Sequence, residues 1–264
     1  MYFPVMASPS RAAPAFLRLA AHPLRWRLLT VLAQGDQRVR DLTALLGEPQ
    51  NLVSYHLRLL RDGGLLTATR SSFDGRGSYY HLDLDRCAAA LADTGAALHP
   101  ALRPPAAPPG TPVGPRPGVL FVCTGNSTRS PIAEALLRRH TDGRVEVASA
   151  GTRPRDHLHP NAVRVLREEF GTDVAGQPTR HVDTLTGRRF DYVISLCDRA
   201  RETCPDFAGQ PRRVHWSIPD PAATGDTDRA SYPSFRRITA EIQTRVSHLT
   251  PVLTASAHPK EAPQ

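Results

Sequence analysis

The stretch VLFVCTGNSTRSPIAEALLRR, residues 119–139, decides how the second half of the chain is read. An apolar run ends in Cys123, small and polar residues follow, and Arg129 stands at the mouth of a helical pattern. Gly125 and its small neighbours let the backbone curl so that several N–H groups point inward, and such a nest binds a tetrahedral anion. The N-terminus of the following helix adds positive potential. Pro131 suits the first helical turn, where no N–H is needed. Arg129 holds two oxyanion oxygens in a fork. The same field favours the thiolate of Cys123. The stretch reads as an anion cradle made of Thr124, Gly125, Asn126, Ser127, Thr128, Arg129 and Ser130, with a nucleophile at its base. The competing reading is a small core cysteine beside a surface arginine. The strand–loop–helix context weighs against it.

Downstream the elements alternate. GVLFVC, RVEVASAG, FDYVISLC and RRVHWSIP read as strands; PIAEALLRRH, PNAVRVLREEFG and SYPSFRRITAEIQTRVSHL (231–249) read as helices. Such alternation implies a small parallel sheet with helices on both faces. Ligands then sit beyond the carboxyl ends of the strands, where Cys123 stands.

Upstream, residues 98–118 (LHPALRPPAAPPGTPVGPRPG) are rich in Pro, Ala and Gly and cannot bury a core. They read as a linker between a domain at 15–97 and another at 119–252, with a disordered tail after Thr254. Before the linker the pattern is mainly helical. AFLRLAAHPLRWRLLTVLAQG (15–35) reads as one helix, VRDLTALLG (39–47) as a short second, and PQNLVSYHLRLLRDGG (49–64) as a third. A short helix, a tight turn and a longer polar-faced helix make a helix-turn-helix. LLTATRSS, FDGRG and SYYHLDLD then read as a β-hairpin wing, and CAAALADTGAAL (87–98) as a last helix.

The net charge of +8 is spread along the chain, so it permits a polyanionic partner without demanding one. No apolar run approaches ~20 residues, and the prolines of MYFPVMASPSRAAP break the apolar core a signal peptide needs. The expectation is a cytoplasmic protein with no membrane partner. In a reducing compartment its four cysteines are metal-binding, catalytic or inert rather than a disulfide framework.

LVSYHLRLLRDGGLL with its glycine-containing wing resembles the winged-helix repressors of the arsenic-repressor (ArsR) type over roughly residues 15–97. That resemblance implies that the third helix enters the major groove of a double-stranded DNA operator. Gln50, Asn51, Ser54, Tyr55 and Arg58 then face the DNA, and Arg70 and Arg76 touch backbone phosphate. A solvated helix face is the alternative. Family members are usually homodimers, and Ala88, Leu91, Ala92 and the first helix would supply the contact. Metal-sensing members carry a cysteine pair on the second helix, which VRDLTALLG lacks. Cys87 is the only cysteine of this part and reads as a small buried apolar residue.

FVCTGNSTRSPIAEALL, VASAGT (147–152) and HWSIPDPA (215–222) resemble the low-molecular-weight protein tyrosine phosphatase fold, including its arsenate reductase branch. The resemblance makes Asp220 the general acid, Asn126 the loop-shaping residue and Ser130 a hydrogen-bond partner of the thiolate. Phosphatases of this fold usually place tyrosines just after the Asp-Pro, and here the sequence is DPAATGD. Thioredoxin-coupled reductases carry two further cysteines seven apart, and SLCDRARETCPDF supplies Cys197 and Cys204. The implied chemistry is a relay: Cys123 attacks arsenate, Cys197 attacks Cys123 as arsenite departs, and Cys204 then attacks Cys197. Thioredoxin is the expected external reductant, with no tightly bound cofactor. Some reductases bind potassium through residues that correspond to Asn126, Glu134 and Ser149. The family's Asp two residues after a Thr is missing here, since Arg180 and His181 follow Thr179. A plain helix-surface carboxylate is the other reading of Glu134.

The expectation is thus an arsenate reductase fused to a DNA-binding regulator, serving arsenic resistance. Two alternatives stay open: a phosphatase of the same fold, and a regulator that senses arsenic or redox state without turnover.

Overall fold

The run of residues 118–123 is apolar on both sides, and a strand buried on both faces needs helices above and below it. The computed structural model describes residues 13–71, 77–99, 102, 116–225 and 227–255. In chain order the elements are α1 (Ala15–Ala20), α2 (Pro23–Leu32), β1 (Gln37–Arg38), α3 (Val39–Leu46), α4 (Gln50–Asp62), β2 (Leu66–Arg70), β3 (Ser78–Leu82) and α5 (Leu84–Leu98). There follow β4 (Gly118–Cys123), α6 (Arg129–His140), β5 (Glu146–Gly151), α7 (Pro160–Phe170), β6 (Tyr192–Ser195), α8 (Asp198–Thr203), β7 (Arg212–His215) and α9 (Asp228–Ala255). The chain divides into two compact units. One holds residues 1–33, 39–68 and 80–107, and the other 34–38, 69–79 and 108–264.

In the first unit, the helix expected over 15–35 is two helices. Pro23 has no N–H to give to Leu19, so the first helix cannot continue through it. His22 caps the second, its Nδ1 accepting from the Leu24 N–H at 3.2 Å. The Arg25 side chain donates to the carbonyls of Arg18 and Leu19 near the end of α1. Leu28, Leu42, Val53, Leu57 and Leu60 are fully buried and form the centre of this core. Cys87 lies in the same cluster, and burial, aided by Asp83, pushes its thiol up to about 11. Strands β1, β2 and β3 form a small sheet in the order β1-β3-β2, of which β1 and the Ser78–Tyr79 end of β3 count with the second unit. Most of the stretch read as a linker, and Arg76, fall outside the described residues.

In the second unit the four strands run parallel in the order β5-β4-β6-β7. Cys123 pairs with Gly151 on one side of β4, and Val122 with Ser195 on the other. The first crossover, through α6, leads to one side of β4; the next, through α7, returns to the other. The order therefore reverses between β4 and β6, and this is where an open α/β sheet leaves a crevice. Residues 123–128 and 196–198 occupy that position. Helix α9 runs longer than residues 231–249: Pro251 marks a stop in the sequence, but Leu253 is fully buried in the core and carries the helix on. No helix among the described residues is long and apolar enough to cross a membrane.

Candidate functional sites

The loop after β4 is clamped from outside. The carbonyls of Cys123, Thr124, Gly125 and Ser127 accept from the N–H groups of Thr152 (3.1 Å), Arg153 (2.8 Å), Arg155 (2.9 Å) and His159 (2.8 Å). With its carbonyls turned outward, the loop turns its amides inward. Among the described residues, the N–H groups of 124–128 donate to no protein acceptor, the condition for an anion nest. The left-handed turn falls on Asn126 (φ 44°), not on Gly125. Its side chain compensates for that conformation. Nδ2 donates to Ser130 Oγ at 3.0 Å and Ser149 Oγ at 2.9 Å, and Oδ1 accepts from the Arg180 N–H at 2.8 Å. The glycine that the loop requires for space is Gly151. A Cβ there would lie 2.7 Å from Thr124 O and 2.9 Å from Asn126 N.

Cys123 Sγ is buried, 3.0 Å from Ser130 Oγ. Arg129 is buried at the start of α6. Its Nη1 donates to Ile218 O at 3.1 Å and its Nη2 to Asp220 Oδ2 at 3.0 Å. Arg129 Nε is buried with no partner among the described residues. Burial alone would lower the pKa of this guanidinium. Cys197, Cys123, Asp220 and Asp198 outweigh it and hold the group above its ordinary value. Cradle, nucleophile, Arg129 and Asp220 therefore meet at one end of the sheet.

Cys197 follows β6 and borders the cradle, its Sγ 3.3 Å from Thr124 Oγ1. It is the N-cap residue of α8, and Cys204 is the C-cap residue. Both are free thiols. Burial pushes the Cys204 thiol up to about 11, with Arg213 opposing and Asp206 adding to the shift. Seven helical steps span ~10.5 Å, whereas a disulfide tolerates Cα separations only up to about 6.8 Å. The helix between the two thiols must open before they can bond.

The sequence reading missed the network behind Cys197. Asp198 is buried, accepts from Ser217 Oγ at 2.7 Å, and lies 3.2 Å from His215 Nε2. His215 Nδ1 is 2.8 Å from Ser195 Oγ. The signal was present in HWSIP and in the carboxylate directly after Cys197, but the pairing needs the sheet register.

Asn126, Glu134 and Ser149 do not fit a potassium ion in this arrangement. Glu134 is buried, and both its oxygens are engaged: Arg138 Nη2 donates to Oε1 at 2.6 Å and Gln177 Nε2 to Oε2 at 2.7 Å. Asn126 Oδ1 already accepts from the Arg180 N–H. The guanidinium of Arg138 supplies the positive charge that this carboxylate needs.

In the other unit, α4 has two faces. Val53, His56, Leu57 and Leu60 are buried, while Gln50, Asn51, Ser54, Tyr55 and Arg58 are exposed. The Arg58 guanidinium sits 5.8 Å from the Tyr55 ring centroid. Arg70 ends β2 and is exposed. On α5, Ala88 is exposed and Ala92 half-buried. Leu91 on that helix is 54% exposed and Leu17 on α1 44%.

The chain matches the family described as low molecular weight phosphotyrosine protein phosphatase over residues 118–258, more than half its length. It matches the bacterial regulatory protein, arsR family, over residues 22–68. An arsenate reductase of Halalkalibacterium halodurans is 35% identical over 128 residues, 48% of this chain and 91% of that protein. An arsenate reductase of Bacillus licheniformis is 36% identical over 128 residues, with the same shares. Among solved structures, a thioredoxin-dependent arsenate reductase of Corynebacterium glutamicum is 29% identical with a TM-score of 0.42. That match covers 54% of this chain and 64% of that one.

Proposed function

The chain belongs to the low molecular weight phosphotyrosine protein phosphatase family, and from that premise we propose that it reduces arsenate to arsenite by a three-cysteine relay, with thioredoxin as reductant. The observation that carries the reading is Cys197. Its sulfur borders the anion cradle at Thr124, and a helix of six residues separates it from Cys204. A phosphatase needs the cradle and no further thiol.

Arsenate is held by the inward amides of residues 124–130 and by Arg129. The Cys123 thiolate attacks arsenic while Asp220 gives a proton to the departing oxygen, which leaves as water. The Cys197 sulfur attacks Cys123 Sγ; the electron pair of the S–As bond passes to arsenic, which leaves as arsenite. Cys204 attacks Cys197 Sγ and releases the Cys123 thiolate. The Cys197–Cys204 disulfide accepts two electrons from the dithiol of thioredoxin. The same fold supports phosphoester hydrolysis through Cys123 alone, and that is the second reading.

The match to the arsR family supports a DNA-binding role for the first unit. In that role Gln50, Asn51, Ser54, Tyr55 and Arg58 enter the major groove and Arg70 and Arg76 hold phosphate. The exposed Leu91 and Leu17 supply a homodimer contact.

The test is arsenate-dependent consumption of NADPH with thioredoxin and its reductase. Cys197→Ser is expected to abolish multiple turnover. A Cys197→Ser variant that hydrolyses an aryl phosphate as fast as the parent, with no arsenate reduction in either, would establish the phosphatase instead. A parent that binds arsenate without consuming reductant would establish a sensor.

A further inference from the structure

Helix α8 is held by side chains outside the region matched to the phosphatase family, although they belong to the same compact unit. Arg38 Nη2 donates to Glu202 Oε1 at 3.2 Å, and Arg201 Nη2 donates to Gln37 Oε1 at 3.5 Å. The Tyr79 ring is fully buried beside both guanidinium groups, 5.3 Å from that of Arg38 and 5.4 Å from that of Arg201. Its other neighbour is His215, with ring centroids 4.8 Å apart. The segment carrying Gln37 and Arg38 is itself anchored. The Asp36 N–H donates to His215 O at 2.8 Å, and the Asp36 carboxylate accepts from Ser217 N at 2.7 Å and from Arg245 Nη1 at 3.0 and 3.1 Å. Asp36 is buried and the Arg245 side chain is only 13% exposed, so this anchor is well shielded.

These contacts fall on Arg201 and Glu202, in the turn of α8 next to Cys204. That turn has to open for Cys204 to reach Cys197. Cys204 also borders a cavity of ≈ 290 Å³ lined by Gln37, Arg201, Ser195 and His215, which gives the segment room to rearrange. Contacts made to the helical dithiol form and lost in the disulfide form must favour the dithiol. We infer that Gln37, Arg38 and Tyr79 are positioning residues of the relay, clasping α8 in its helical form and so making the Cys197–Cys204 disulfide more readily reduced. A stabilised dithiol makes a disulfide more oxidising. The inference rests on the relay reading.

The test uses the full-length chain with Cys123→Ser and Cys87→Ala, so that only the Cys197–Cys204 pair exchanges. Protein dithiol and oxidised glutathione give protein disulfide and two reduced glutathiones, and the disulfide fraction is read by alkylation and mass spectrometry. Arg38→Met removes the ion pair and the ring contact without altering any residue of α8, and circular dichroism checks that it folds. Tyr79→Leu removes the ring itself. The expected result is a disulfide equilibrium constant raised about tenfold in Tyr79→Leu, a midpoint ~30 mV more negative, with a smaller shift of the same sign in Arg38→Met. A folded Arg38→Met variant with the parent's midpoint would overturn the clasp. If the parent forms no Cys197–Cys204 disulfide at any glutathione ratio, the relay reading itself fails, and the clasp with it.

Discussion

The loop of residues 123–130 and the helix of residues 198–203 lie at the ends of neighbouring strands, yet they are built for opposite purposes. The loop is fixed. Its carbonyls are tied to residues 152–159, its left-handed residue is braced by three hydrogen bonds, and its space is kept by Gly151. The helix is short, is flanked by the two cysteines it keeps apart, and is held from outside by Gln37, Arg38 and Tyr79. A site that stabilises charge gains from having its dipoles already in place. A relay that passes a bond between sulfurs needs a segment whose two shapes differ little in free energy. In the proposed relay one fold holds both: the fixed loop follows β4, and the segment that must open follows β6, its neighbour across the switch point.

The largest expected effect falls on the thiols. Cys123→Ser should abolish both arsenate reduction and aryl phosphate hydrolysis, whereas Cys197→Ser should abolish only multiple turnover of arsenate. Equal loss of both activities in Cys197→Ser would merge the two regions into one. Next is Gly151→Ala, whose methyl group meets backbone on both sides. A displacement of even ~1 Å at a catalytic site costs about 10²-fold in rate. The expected outcome is a fall of about that size in kcat/KM with the Cys197–Cys204 midpoint unchanged. A shifted midpoint would mean that the loop and α8 do not act independently.

The pH dependence of the resolving step distinguishes a static helix from an opened one. Burial holds the Cys204 thiol up at about 11 while α8 is formed. The neutral thiol predominates below that value, so attack from the closed helix would quicken about tenfold per pH unit all the way up to it. Opening α8 exposes the thiol and returns it toward about 8.5. The decay of the Cys123–Cys197 disulfide, followed by rapid quench, should therefore rise with pH and level off near 9. A continued rise to about 11 would place the attack within an intact helix. The smallest effect is expected from potassium. Arg138 and Gln177 already engage Glu134, so replacing potassium with sodium should leave activity and Tm within about twofold and about a degree. A clear gain with potassium would show that Arg138 yields its place.

The rigid region was legible in the sequence because its signals are local. Cys123, Asn126, Arg129, Ser130 and Pro131 fall in one strand–loop–helix run, and the chain order of apolar strands and helices gave the parallel sheet. The exposed row of α4, Asn51, Ser54, Tyr55 and Arg58, was legible for the same reason, since helical spacing assigns faces. What stayed hidden was non-local. Gly151, Asp198 and His215 act through register, and Asp36 meets Arg245 across 209 positions of sequence. Nothing in the periodicity around Gln37, Arg38 or Tyr79 tells that they reach α8. The split at Pro23 was readable but was overridden by an apolar pattern that runs through it.

The most direct measurement is a single turnover without external reductant. The reduced chain is mixed with one equivalent of arsenate, quenched with an alkylating agent, and analysed for arsenite and for disulfide-linked peptides. The relay predicts one arsenite released for each Cys197–Cys204 disulfide formed, with Cys123 returned to a free thiol. Arsenite released while Cys197 and Cys204 both remain alkylatable would contradict it.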